Sequence, residues 1–151
     1  MVLTPEALGV KSNKLRQKGT GLMTNDTLDI QRIRQTVQLY FDGMYRSDVE
    51  KLKKAFHPSA ALMGYFSGNL TRLPLEKWLE MVAARPSPAK NGEEYNMSLV
   101  SMDLTETVAV VKVRDYYLGL WFTDYLSLLK IEDTWRIVNK IFHHEPKVKA
   151  L

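Results

Sequence analysis

The 151-residue sequence predicts an α+β domain, and three features carry that prediction. Helical apolar spacing is confined to the chain before residue 85. After Tyr95 the chain reads as four long strands in succession, and as far as Glu145 it contains no proline and only one glycine, Gly119. The breaks between those strands are only two or three residues long, which suits an antiparallel meander rather than crossover units.

Each element follows from local pattern. Ile30, Ile33, Val37, Tyr40, Phe41 and Met44 recur at helical spacing, so a long amphipathic helix runs from about Thr27 to Arg46, with Asp26 and Asp29 near its positive end. Ser47 to Glu50 has the form of a capping box and opens a short helix that His57-Pro58 ends. Ala60 to Phe66 is a strand, Ser67-Gly68-Asn69 a turn, and Leu70 to Arg72 a short returning strand. Pro74 opens a third helix through Ala84, with Leu75, Trp78, Leu79 and Val82 on one face. The meander follows as Tyr95–Leu104, Val108–Leu118, Trp121–Ile131 and Thr134–Glu145, with turns at Thr105-Glu106, Gly119-Leu120 and Glu132-Asp133.

Composition limits the functional classes. A chain of this length fits one domain able to bury about 70% of its unfolded surface. The expected organisation is a flexible tail over residues 1–25, a domain over 26–146 and a short tail over 147–151. The formal charge of +4 is concentrated at the start: Lys11, Lys14, Arg16 and Lys18 face only Glu6, which leaves 17 basic and 16 acidic residues elsewhere. A near-neutral body lacks the clustered basic surface that nucleic-acid binding needs, so no nucleic-acid partner is expected. No membrane association is expected either. Cysteine is absent, which removes disulfides and thiolate ligands and fits a cytoplasmic location. Met23 is equally placed to be the native start.

Alternation divides the last three strands into two faces. One carries Val111, Val113, Asp115 and Tyr117, then Phe122, Asp124, Leu126 and Leu128, then Trp135, Ile137, Asn139, Ile141 and His143. A turn at Gly119-Leu120 sets Asp115 directly opposite Asp124, and two like charges so placed require a shared proton or a bridging group. His143 falls diagonal to Asp124, as an acid–base partner. Asp115, Asp124 and His143 are therefore the candidate catalytic residues, and Tyr40, Tyr117 and Asn139 the candidate ligand contacts. The three histidines, two of them on opposite strand faces, make no metal set, and neither a phosphate loop nor a dinucleotide fingerprint occurs; no metal and no cofactor are expected. The opposite face mixes Val110, Lys112, Arg114, Tyr116, Tyr125, Leu129, Val138, Lys140 and Phe142. That mixture suits a protein interface, and a homodimer through this outer sheet face is expected.

The order helix, short helix, strand, short strand, helix and long curved sheet resembles the nuclear transport factor 2-like (NTF2-like) superfamily, which includes SnoaL-like and ketosteroid isomerase-like proteins. The residues carrying the resemblance are Arg46-Ser47-Asp48, Ala55-Phe56-His57-Pro58-Ser59-Ala60, Thr123 to Leu129, and Trp135-Arg136-Ile137-Val138-Asn139-Lys140. The Asp124-Tyr125-Leu126 segment together with the last of these is similar to the subgroup labelled lumazine-binding. The resemblance implies a cone-shaped, cystatin-like α+β fold, three N-terminal helices on a curved, mainly antiparallel sheet, with a small-molecule cavity between the layers. It also places at Tyr40 the first-helix tyrosine of ketosteroid isomerase relatives, and at Gly64 the position of their catalytic carboxylate. The tyrosine is kept and the base is absent, which argues against that isomerase reaction.

The expected function is binding of a small, partly aromatic or apolar molecule. Non-catalytic binding stands ahead of catalysis because the sequence names no nucleophile and no complete acid–base set. The alternatives are a cofactor-independent lyase, isomerase or hydrolase using a pocket carboxylate, and a dimerisation module with an incidental cavity.

Overall fold

A computed structural model describes residues 16–18 and 21–146, with side chains from Thr24 onward. The expectations for residues 1–15 and 147–151, most of the basic tail and the C-terminal tail, lie outside the described residues. Two three-residue strands, β1 (Arg16–Lys18) and β2 (Gly21–Met23), pair antiparallel before the first helix.

Thr24 caps helix α1 (Asn25–Arg46) by accepting from the Thr27 amide at 3.0 Å. The helix ends at Ser47 in the left-handed conformation (φ 52°), whose amide donates to the Gly43 carbonyl. Helix α2 (Val49–Ala55) starts at once, capped by Asp48, whose carboxylate accepts from the Lys51 amide. The capping box expected from Ser47 is thus displaced by one residue: Ser47 closes α1 and Asp48 opens α2. Gly43 allows this tight corner, since a Cβ there would lie 2.6 Å from the Leu52 side chain.

The remaining elements are β3 (Phe56–Phe66), β4 (Asn69–Pro74), α3 (Leu75–Ala84), β5 (Met97–Thr105), β6 (Val108–Tyr117), β7 (Leu120–Ile131) and β8 (Thr134–His144). They form a six-stranded sheet in the order β4-β3-β8-β7-β6-β5, antiparallel throughout except for the parallel pair β3–β8. Ile33, Val37 and Phe41 of α1, Leu52 of α2 and Trp78 and Val82 of α3 bury against Val111, Val113, Leu126, Leu128, Trp135 and Ile137 of the sheet. The fold is the predicted α+β arrangement of three helices on a curved, mostly antiparallel sheet.

Two registers differ from expectation. The β6–β7 turn is Leu118-Gly119, with φ of 48° and 83°, so Tyr117 pairs with Leu120 and Asp115 with Phe122. The expected turn one residue later moved every pair by two positions, which leaves the faces intact. In β7–β8, pairing starts as predicted at Ile131↔Thr134 but slips by one between Ser127 and Leu128, where Val138 is the extra residue. A slip of one exchanges the faces of everything beyond it. Lys140 and Phe142 turn inward, while Asn139, Ile141 and His143 turn outward.

The bulge has a neighbour that explains it. Opposite Val138 on the other side, the β3–β8 ladder breaks between Phe56 and Ala61, a stretch that contains Pro58. Proline has no amide hydrogen to donate, so regular pairing cannot continue through it.

Candidate functional site

Helix α1 is fixed on the sheet by inward residues of one face, Asp29 and, two turns further on, Thr36. Asp29, only 4% exposed, accepts from the Trp135 indole at 3.0 Å and pairs with Lys130 at 3.1 Å. Thr36 donates to the Trp135 carbonyl at 2.9 Å. One turn further on, Tyr40 is held over the centre of the sheet.

There it meets the residues that the β8 bulge brings together. The Tyr40 hydroxyl donates to Asp124 Oδ2 at 2.6 Å and accepts from Lys140 Nζ at 2.8 Å. Lys140 Nζ is 3.7 Å from the same Asp124 oxygen. It also lies 5.1, 5.0 and 5.9 Å from the ring centres of Tyr40, Trp78 and Phe142, within cation–π range of all three. Asp115 completes the cluster from β6, on the same face as Asp124 but diagonal to it.

All four groups are buried: Tyr40 and Asp124 at 0%, Asp115 at 1% and Lys140 at 4% exposure. One lysine cannot neutralise two carboxylates in such a place, and an unpaired buried charge is costly. Burial first, then the charge of Asp124 and a side-chain hydrogen bond to it, push Asp115 well above the ordinary aspartate range, against a smaller opposing pull from Lys140. As ions, both groups only accept, and both Asp115 oxygens and Asp124 Oδ1 then lack any partner among the described residues. A proton on Asp115 supplies the missing donor. Burial and Asp124 likewise raise Tyr40, which stays a phenol. The resting cluster is an Asp115 acid, an Asp124 carboxylate, a Tyr40 phenol and a Lys140 ammonium, with no net charge.

Asp115 and Lys140 line a cavity of about 290 Å³ together with Arg85 and Thr71, and its apolar walls include Trp78, Phe122, Phe142 and Leu62. Tyr40 and Asp124 lie behind them. Such a space, mostly apolar with a few convergent donors, has the character of a small-molecule site. Tyr117 lines it as expected; its hydroxyl has no partner among the described residues, and burial raises its proton affinity. A larger hollow of about 570 Å³ between α2 and α3 has Lys53, Glu76 and Glu80 on its wall, all of them exposed, and lacks buried ionisable groups.

Several sequence expectations are corrected here. Asp115 and Asp124 do share the inner face, but they are not directly opposite. His143 is exposed on the outer face, paired with Thr123, and makes no dyad with Asp124. Asn139 is half-buried on the outer face beside Ser127, away from the cavity. Lys140, assigned to the outer face by uninterrupted alternation, is the residue that sequence reasoning missed. Pro58 was the available signal for the bulge that carries it inward.

At the position where the resemblance puts a carboxylate, Gly64 lies against Phe142. A Cβ there would be 2.9 Å from Phe142 Cδ2 and closer still to the Phe142 carbonyl oxygen. The site of that base is filled by Phe142. Gly64→Ala is expected to cost about 1–3 kcal/mol through overpacking, measurable by urea unfolding; unchanged stability would contradict this close approach. Among the described residues no group of three or more potential metal-ligating His, Asp or Glu side chains occurs, and no helix is long and apolar enough to cross a membrane.

Comparison with known proteins agrees with this architecture. A curated relative, "Aldolase FrzH" of Cladobotryum sp, is 28% identical over 120 residues, covering 74% of this chain and 88% of that protein. A crystal structure of an NTF-2 like protein of unknown function from Silicibacter pomeroyi superposes with a TM-score of 0.74 at 22% identity, covering 80% of this chain and 99% of that one. A second, from Shewanella baltica, gives a TM-score of 0.72 at 26% identity, covering 82% and 99%. The model of the family described as "Putative lumazine-binding" matches residues 28–143. The chain therefore belongs to this family, within the NTF2-like superfamily.

Proposed function

We propose that the cavity binds a small carbonyl compound by its oxygen and promotes proton transfer at the adjacent carbon, the step shared by aldol-type lyases and by isomerases. The observation that carries this reading is the pair Asp115 and Lys140, a neutral acid and an ammonium, aimed into one apolar cavity. A carboxylic acid kept neutral by burial donates a hydrogen bond that an ordinary aspartate cannot, and it strengthens as charge develops on the carbonyl oxygen. Lys140 adds a second donor that is linked through the Tyr40 hydroxyl to the Asp124 carboxylate, the base of the cluster, and this acid–base chain, which the sequence did not reveal, moves catalysis ahead of simple binding. The aldolase name of the relative supports the same class of chemistry.

The test is exchange of α-hydrogens of cyclohexanone in deuterated buffer, followed by proton NMR. Exchange faster than in buffer alone, and lost in Asp115→Asn, is the expected result. Exchange at the buffer rate with cyclohexanone bound would leave only a binding role.

Non-catalytic binding is the second reading, favoured by the absence of any cavity carboxylate besides Asp115. The family description suggests lumazine, a flat bicyclic dione whose carbonyls would meet the same two donors. Quenching of lumazine fluorescence on titration with protein is expected under this reading.

The outer sheet face supports a homodimer. Val108, Val110, Tyr125, Leu129 and Ile141 are all exposed there, and the β8 bulge makes the face more apolar by exchanging Lys140 for Ile141. Tyr125→Glu with Ile141→Asp is expected to halve the mass in sedimentation equilibrium. A monomeric parent protein would contradict it.

A further inference from the structure

We propose that Lys140 is a covalent site: its amine condenses with aldehydes and ketones that enter the cavity, forming an imine. This rests on the reading of the cavity as a carbonyl site and deepens it by naming the nucleophile.

The geometry provides each requirement. Lys140 lines the cavity, and its Nζ lies 5.0 and 5.9 Å from the ring centres of Trp78 and Phe142 on the same wall, within reach of a carbonyl carbon held there. At rest Nζ is an ammonium paired with Asp124, and an ammonium is not a nucleophile, so the amine has to be freed by proton transfer within the cluster. A continuous hydrogen-bonded path exists for that transfer, from Lys140 Nζ to the Tyr40 hydroxyl at 2.8 Å and from that hydroxyl to Asp124 Oδ2 at 2.6 Å. Lys140 passes a proton to Tyr40 as Tyr40 passes its own to Asp124, and the cluster stays neutral. An amine released beside a base and shielded from water is the usual form of an activated lysine nucleophile.

The step balances without an oxidant or reductant. The Nζ–carbon bond forms and the carbon–oxygen bond breaks, and the oxygen leaves as water. Of the three Nζ hydrogens, one moves to Asp124, one leaves in the water and one stays on the iminium nitrogen. The second hydrogen of the water comes from Asp115, which ends as a carboxylate next to the α-carbon of the iminium. That carboxylate can then remove an α-proton to give the enamine and recover its own proton. A site for a carboxylate base on β3 is therefore unnecessary, consistent with Gly64.

The probe is pentane-2,4-dione, which forms a stable, ultraviolet-absorbing enaminone with a free amine. Incubation of the whole chain at neutral pH, followed by intact mass and peptide mapping, is expected to show one adduct, the dione less one water, on Lys140. Tyr40→Phe keeps the lysine but breaks the path, and is expected to slow the adduct at least tenfold. Lys140→Arg keeps the charge and is expected to abolish it. If that variant fails to fold, mapping on the parent protein decides alone. Modification confined to exposed lysines such as Lys77 would overturn the proposal. A thermal shift with the dione but no adduct on Lys140 would overturn the covalent step and leave the carbonyl site standing, whereas neither shift nor adduct would remove both.

Discussion

Lys140→Met is expected to destabilise the protein by about 3–5 kcal/mol, because it removes the cation from a carboxylate that has no access to water. Asp124 is fully buried, and without Lys140 it keeps only neutral donors, the Tyr40 hydroxyl and the Asp115 acid, and no cation. For a chain of this size the loss corresponds to a fall in Tm of roughly 6–20 °C. Asp124→Leu is expected to be similarly harmful, since it leaves the Lys140 ammonium among rings. The double variant removes both charges at once, and burying two apolar groups in their place is nearly neutral. It should therefore be more stable than either single variant. Urea unfolding of the four proteins provides the cycle. Single losses below about 1 kcal/mol, or losses that simply add in the double variant, would mean that the pair is not the coupled unit described.

Asp115→Asn is expected to separate stability from activity. The folded protein holds the Asp115 proton well above the reference value of 3.8, so it binds more protons than the unfolded chain across the interval between the two. The favourable contribution is fully present below the unfolded value and is lost as pH rises through the folded one, with a slope of at most about 1.4 kcal/mol per pH unit. Asparagine keeps the shape and a donor for Asp124 but has no proton to lose. The variant should lack this slope and be at least as stable as the parent at neutral pH. Its α-exchange of cyclohexanone should fall by about 10²–10⁴, the range for loss of a general acid or base. A stability profile that superimposes on the parent's, or exchange at the parent's rate, would contradict the role of Asp115.

The architecture was legible because its signals are local. Helical spacing around Ile33, Val37 and Tyr40, Pro74 before α3, and the short breaks of the meander each act within a few residues. The site was legible in part. Asp115, Asp124 and Tyr117 remain on the inner face because misplacing the Leu118-Gly119 turn slid the β6–β7 pair by a full pleat repeat, which does not exchange faces. Tyr40 follows from the helix period alone. Lys140, Asn139 and His143 were assigned to the wrong faces because a single extra residue, Val138, reverses the alternation. Its cause is non-local: Pro58 lies 80 residues earlier and becomes a neighbour of Val138 only through the parallel β3–β8 pairing. Two carboxylates on one inner face asked for a shared proton or a bridging group, and nothing in the sequence pattern named a lysine for that place.

The account depends on Asp115 being an acid, not an ion, in the resting cluster. Carbon-13 NMR of aspartate-labelled protein, with the Asp115 resonance assigned by its loss in Asp115→Asn, measures this directly as pH is raised. A carboxyl shift typical of the protonated acid that persists at neutral pH is the predicted result. Titration of Asp115 at the ordinary aspartate value would contradict it, leaving two charges against one lysine and no neutral donor in the cavity.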